Sequence, residues 1–163
     1  MKTLLLLRHA KSDWDDMRLR DIERPLAKRG LHDAPSMGKA LKKQGIVPEL
    51  ILCSPAIRAQ ETLALFTEAA GLEAKVEFEQ NIYEASAAEL MKIVRHLADE
   101  YASVLMVGHN PGFENLLSRL IGAQRQMPTA ALACIEFAID QWQDVEDNAG
   151  KLQWFLIPKM LMS

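Results

Sequence analysis

Apolar positions along the chain fall into short continuous runs separated by longer helical stripes. Thr3 to Leu7 is a continuous apolar run, the pattern of a central strand buried on both faces. Leu26 to Gln44 reads as a helix stopped at Gly45, with Pro35 expected to kink it. Leu50 to Cys53 is a second short strand. Ser54 then reads as a helix cap and Pro55 as the first helical residue, and the helix runs to Ala70 before Gly71. Lys75 to Glu79 alternates like a strand. Leu90, Ile93, Val94 and Leu97 follow the i, i+3, i+4, i+7 rule of a helix. Val104 to Val107 is another buried strand, and Asn110-Pro111 repeats the cap-plus-proline device. Phe113, Leu116, Leu117, Leu120 and Ile121 line one face of the next helix, which ends at Gly122. Ala131 to Ile139 and Lys151 to Ile157 read as two closing strands, paired across the polar stretch Asp140 to Gly150. Strand and helix in alternation predict an α/β protein with a largely parallel sheet.

Composition narrows the picture. The 163 residues suit one domain, here taken as residues 1–163, since no stretch is rich enough in Pro, Gly or Ser to be a linker. With 49% apolar and 25% charged residues the chain has the balance of a soluble globular protein. Its formal charge of −3 speaks against general affinity for nucleic acid or an anionic membrane, so any phosphate site must be a local basic cluster. Cys53 and Cys134 sit in apolar runs and read as buried free thiols of a reducing compartment. The early run Leu4 to Leu7 is too short for a signal or membrane segment, and the expected location is the cytoplasm.

The candidate chemistry lies where the strands end. The first strand runs into Arg8-His9, the second into Ser54-Pro55 and then Arg58, and the fourth into His109-Asn110. Open α/β sheets bind ligands at the carboxyl ends of their strands. Two arginines and two histidines would meet there, with helix N-termini that favour anions and guanidinium forks that match phosphate oxygens. Singly, each residue has a bland explanation as a solvated strand end, a cap or a surface charge. Jointly, at one end of parallel strands, they read as a phosphoryl pocket with an imidazole nucleophile. A cysteine phosphatase fits poorly, because the residues between Cys53 and Arg58 include Pro55 and no glycine. A metal hydrolase lacks a His-Glu-x-x-His or similar ligand pair.

The segments Leu7-Arg8-His9-Ala10-Lys11-Ser12-Asp13-Trp14, Glu23 to Gly30, Cys53 to Thr62, Ile82 to Ser86 and Val107 to Gly112 together resemble the histidine phosphatase superfamily in its SixA-like branch. The resemblance spans most of the chain in family order. It implies a three-layer α/β/α fold of the phosphoglycerate mutase-like type. By the same resemblance His9 attacks phosphorus, Arg8, Arg58 and His109 hold the non-bridging oxygens, and Glu84 matches the family's proton donor. Ser12 and Arg24 lie within family motifs in supporting roles. No metal or cofactor is implied. The implied substrate is phosphohistidine on a signalling or phosphotransfer protein. Small phosphate esters such as sugar or nucleotide phosphates are the alternative, then phosphoglycerate mutase activity and an inactive phosphoprotein-binding module.

Overall fold

The computed structural model describes residues 1–161 and contains one six-stranded sheet with four helices on its two faces. The strands are β1 (Lys2–Arg8), β2 (Leu50–Cys53), β3 (Lys75–Phe78), β4 (Ser103–Gly108), β5 (Leu132–Phe137) and β6 (Lys151–Leu156). The helices are α1 (Lys28–Gln44), α2 (Ile57–Ala70), α3 (Ala87–Arg95) and α4 (Gly112–Ile121). Strand order is β3-β2-β4-β1-β5-β6. The pairs β3–β2, β2–β4 and β4–β1 are parallel, whereas β1–β5 and β5–β6 are antiparallel. The two closing strands therefore pair as the pattern predicts.

Strand alternation sorts the core into two layers. Leu4 and Leu6 of β1, with Val104 and Met106 of β4, pack with Leu90 and Val94 of α3 and Phe113 and Leu117 of α4. Leu5 and Leu7, with Leu105 and Val107, pack with Met37 and Leu41 of α1 and Leu63 and Phe66 of α2. The continuous leucine run is thus explained, because both faces of β1 are covered. Burying each of those leucines contributes about 1.5–3 kcal/mol. α1 and α2 approach closely at Gly38, where a Cβ would collide with the Phe66 carbonyl.

Several local expectations shift for identifiable reasons. α2 begins at Ile57 with Ala56 in the cap position, not at Pro55. Ser54 accepts the Ala56 N–H at 3.2 Å but turns its hydroxyl toward His109. α4 begins at Gly112, and Asn110 Oδ1 still accepts the Glu114 N–H at 3.2 Å. Leu26 lies outside α1, bridged to Ser12, with its N–H held by Glu61 Oε1 at 2.8 Å. α1 runs through Pro35 as one helix, held by the buried stripe Ala34, Met37 and Leu41. β3 is an edge strand whose four residues are all exposed. α3 opens with a capping box in which Ser86 and Glu89 each take the other's backbone N–H. Among the described residues no helix is long and apolar enough to cross a membrane.

Candidate active site

β1, β2 and β4 are neighbours and parallel, so their carboxyl ends deliver Arg8-His9, Ser54 and His109 to one place. His9 leaves the end of β1 with its N–H on the Gly108 carbonyl at 3.0 Å, while its own carbonyl takes the Ala130 N–H at 3.0 Å. Gly108 is tightly enclosed, since a Cβ there would collide with the Phe113 ring, and this fixes the chain just before His109. The His9 and His109 rings lie 5.1 Å apart between centroids, inclined by 50°. His9, His109, Arg58, Arg24 and Ser12 are all buried.

Each imidazole has its tautomer set by a neighbour. His9 Nδ1 lies 2.7 Å from the Ala10 carbonyl, which can only accept, so Nδ1 carries the hydrogen and Nε2 keeps a free lone pair. Burial pushes the His9 pKa down to about 4; the bond to Ala10 opposes this and Arg58 and Arg8 reinforce it. The ring is neutral at neutral pH. His109 Nε2 lies 2.7 Å from Ser54 Oγ. The Ser54 oxygen accepts the Ala56 N–H, and among the described residues its own proton has no acceptor other than His109 Nε2, so Nε2 accepts and His109 Nδ1 carries the hydrogen. Burial, then His9 and Arg58, lower the His109 pKa to about 3.

The arginines are anchored with nitrogen to spare. Arg8 Nη1 donates to the Met127 carbonyl at 2.9 Å, and Asn110 Nδ2 donates to that same carbonyl at 2.9 Å. Arg58 Nη1 and Nη2 reach the carbonyl and carboxylate of Asp21 at 2.8 and 3.0 Å. Arg24 stacks over the Trp14 ring at 4.0 Å, and Ser12 Oγ accepts the Trp14 indole N–H at 3.0 Å. Four buried side-chain nitrogens have no partner among the described residues: Arg8 Nε, Arg24 Nε and Nη1, and His109 Nδ1. Buried donors left unpaired are costly, and all four belong to residues singled out from the sequence.

Glu84 is brought in least. It is exposed, occupies the left-handed region at φ 58°, and makes no side-chain hydrogen bond among the described residues. Asp21, Tyr83, Ser54 and Thr62 were not singled out from the sequence as site residues, yet they build its walls. Thr62 Oγ1 receives the Ala10 N–H at 3.0 Å and donates to the Arg58 carbonyl at 2.6 Å, tying the His9 loop to α2. The Tyr83 ring stands edge-on to His109 at 5.5 Å, and its hydroxyl donates to Asp21. Ser54 was visible as a polar strand end, and Tyr83 by its place beside Glu84. Asp21 carried no local signal. Cys53 is buried with its thiol pushed up to about 12, which leaves it protonated beside this site. Among the described residues there is no group of three or more His, Cys, Asp or Glu side chains that could hold a metal ion.

A family model described as the histidine phosphatase superfamily (branch 1) matches residues 4–90. The chain belongs to that superfamily. Superfamily kinship extends along the whole sheet in solved structures. One relative is a Nakamurella multipartitia SixA, named as a phosphohistidine phosphatase by assignment, with a TM-score of 0.84, 25% identity and coverage of 96% of both chains. A SixA of Agrobacterium tumefaciens, assigned likewise, gives a TM-score of 0.84 and 27% identity over 96% of this chain and 98% of its own. An uncharacterized chloroplast protein of Arabidopsis thaliana is 34% identical over 95% of this chain and 75% of its own length. The fold is the phosphoglycerate mutase-like member of the α/β class.

Proposed function

We propose that this chain is a phosphatase in which His9 Nε2 takes the phosphoryl group from phosphohistidine on a signalling or phosphotransfer protein and then passes it to water. The observation that carries the reading is the pairing of a neutral His9, with Nδ1 tied to Ala10, and unpaired buried donors on Arg8 and His109. A nucleophilic lone pair and free N–H groups in one pocket are what in-line phosphoryl transfer requires. In this reading Arg8, Arg58 and His109 Nδ1 hold the three equatorial oxygens, whose charge they stabilise in the transition state. Ser12 and Arg24 support the wall that Trp14 covers.

The names of the SixA relatives support phosphohistidine as the substrate class. Residues 1–163 act as one catalytic domain in this reading, and the two buried free thiols suit a reducing cytoplasm. Glu84, the position that matches the family's proton donor, serves only substrates whose leaving group must be protonated.

The test is His9→Ala together with rapid acid-free quenching of the native protein. Native protein should carry phosphate that is labile to acid and stable to base, and the alanine variant should fold normally without turnover. Turnover of a phosphohistidine protein or of nitrophenyl phosphate by His9→Ala at the native rate refutes the mechanism.

A further inference from the structure

Asp21 is a carboxylate in a pocket built for an anion, and the roles of Arg8, His9, Arg58 and His109 do not explain it. It opens the short 3-10 turn Asp21–Glu23, and its side chain is 44% exposed while the Arg58 side chain beneath it is 9% exposed. Its Oδ2 accepts from Arg58 Nη2 at 3.0 Å and from the Tyr83 hydroxyl. Its Oδ1 accepts nothing among the described residues. The carboxylate lies near enough to both His9 and His109 for its charge to act on each ring.

A fixed negative charge at this point repels phosphoryl oxygens, so it lowers affinity for the part of the substrate that the arginines bind. It becomes useful only toward a part of the substrate that is positive. A phosphoryl group bound to imidazole supplies such a part. When the ring nitrogen distal to phosphorus is protonated, the ring is a cation and departs as neutral imidazole.

We propose that Asp21 determines specificity for phosphohistidine by accepting, through Oδ1, the distal N–H of the imidazolium leaving group. The inference rests on the phosphatase reading of the same site. In the step, His9 Nε2 forms the new bond to phosphorus as the substrate P–N bond breaks. The bonding pair goes to the departing ring nitrogen, while the distal nitrogen keeps its proton against Asp21. No proton is transferred in the step. An alkoxide leaving group would need a proton, and Asp21 is not disposed to give one. Burial pushes its carboxyl up, but the bonds from Tyr83 and Arg58 outweigh this and hold it below the ordinary carboxylate range.

The experiment compares native protein, Asp21→Asn and Asp21→Glu on free phosphohistidine and on nitrophenyl phosphate from pH 5.5 to 9. The asparagine keeps an oxygen for Arg58 and Tyr83 but loses the charge. Asp21→Asn should lower kcat/KM for phosphohistidine roughly 10- to 100-fold more than for nitrophenyl phosphate, the worth of one hydrogen bond between charged groups. Its alkaline limb in kcat should move to lower pH with phosphohistidine only, because the bound imidazolium loses its counter-charge. Asp21→Glu should restore part of the preference. Equal losses on both substrates with an unmoved limb would overturn the proposal and leave Asp21 as a support for Arg58. Native protein that hydrolyses nitrophenyl phosphate but not phosphohistidine would also overturn it, with the His9 mechanism intact. Hydrolysis of neither substrate would overturn both.

Discussion

Ser54→Ala isolates the contact that sets the His109 tautomer. Ser54 is fully buried, and its hydroxyl has two partners, His109 Nε2 at 2.7 Å and the Ala56 N–H at 3.2 Å. Deleting the oxygen leaves an acceptor and a donor unpaired in the interior. A buried group stripped of its partner costs about 1–3 kcal/mol, and the longer Ala56 bond belongs at the low end, giving about 2–4 kcal/mol in total. For a chain of this length that is a fall in Tm of roughly 4–16 °C. The functional effect is separate. Without Ser54 to occupy Nε2, His109 is free to move its hydrogen there and turn a lone pair at Nδ1 toward the phosphoryl oxygen. Losing one oriented hydrogen bond of about 0.5–1.5 kcal/mol lowers kcat/KM roughly 2- to 13-fold. Thermal melts, kinetics with nitrophenyl phosphate and nitrogen-15 NMR of the imidazoles read the three consequences independently. Ser54→Thr, which keeps the hydroxyl, should retain the Nδ1–H signal. A Ser54→Ala protein with native kinetics and an unchanged His109 tautomer would refute the assignment.

Arg58→Ala should reduce kcat about 10²–10³-fold, and Arg58→Lys should recover only part of it, because an ammonium cannot meet Asp21 and phosphate together as the fork does; full recovery with lysine would mean that charge alone matters. Stability should decline on acidification. The folded pKa values of His9 and His109, about 4 and about 3, lie below the unfolded value near 6.5. The stability tied to both neutral rings is thus complete above pH 6.5 and is lost as pH falls from there toward the folded values, at up to about 1.4 kcal/mol per pH unit for each proton. Urea titrations at pH 7 and pH 5 should show the loss, and His109→Gln should remove part of it; equal midpoints at the two pH values would contradict the burial of neutral rings. Glu84→Gln should change phosphohistidine turnover less than about threefold, since the departing imidazole carries its own proton. A loss above tenfold on alkyl phosphates alone would instead mark Glu84 as the proton donor for that class.

The sheet, its two apolar faces and the positions of Arg8, His9, Arg58 and His109 were legible in the sequence. They depend on local periodicity and on the residues at the carboxyl end of each strand. The run Leu4 to Leu7 has no polar face to offer water, so it has to lie between two layers of helices. Gly45, Gly71 and Gly122 end their helices in the left-handed region that glycine enters without a Cβ clash. Other contacts were beyond the reach of sequence pattern. Ser54 before Pro55 has every local mark of a helix cap, yet its hydroxyl bonds to His109, 55 residues away. Asp21 sits in an acidic, polar stretch typical of a solvated loop, but meets Arg58 across 37 residues and Tyr83 across 62. The strand order β3-β2-β4-β1 brings these segments together, and that order is settled by the packing of whole layers. Desolvation acts in the same way. A free imidazole is already largely neutral at pH 7, but His9 is held neutral well into acid only because many distant residues jointly exclude water from it, so its shifted pKa belongs to the tertiary structure and not to any motif.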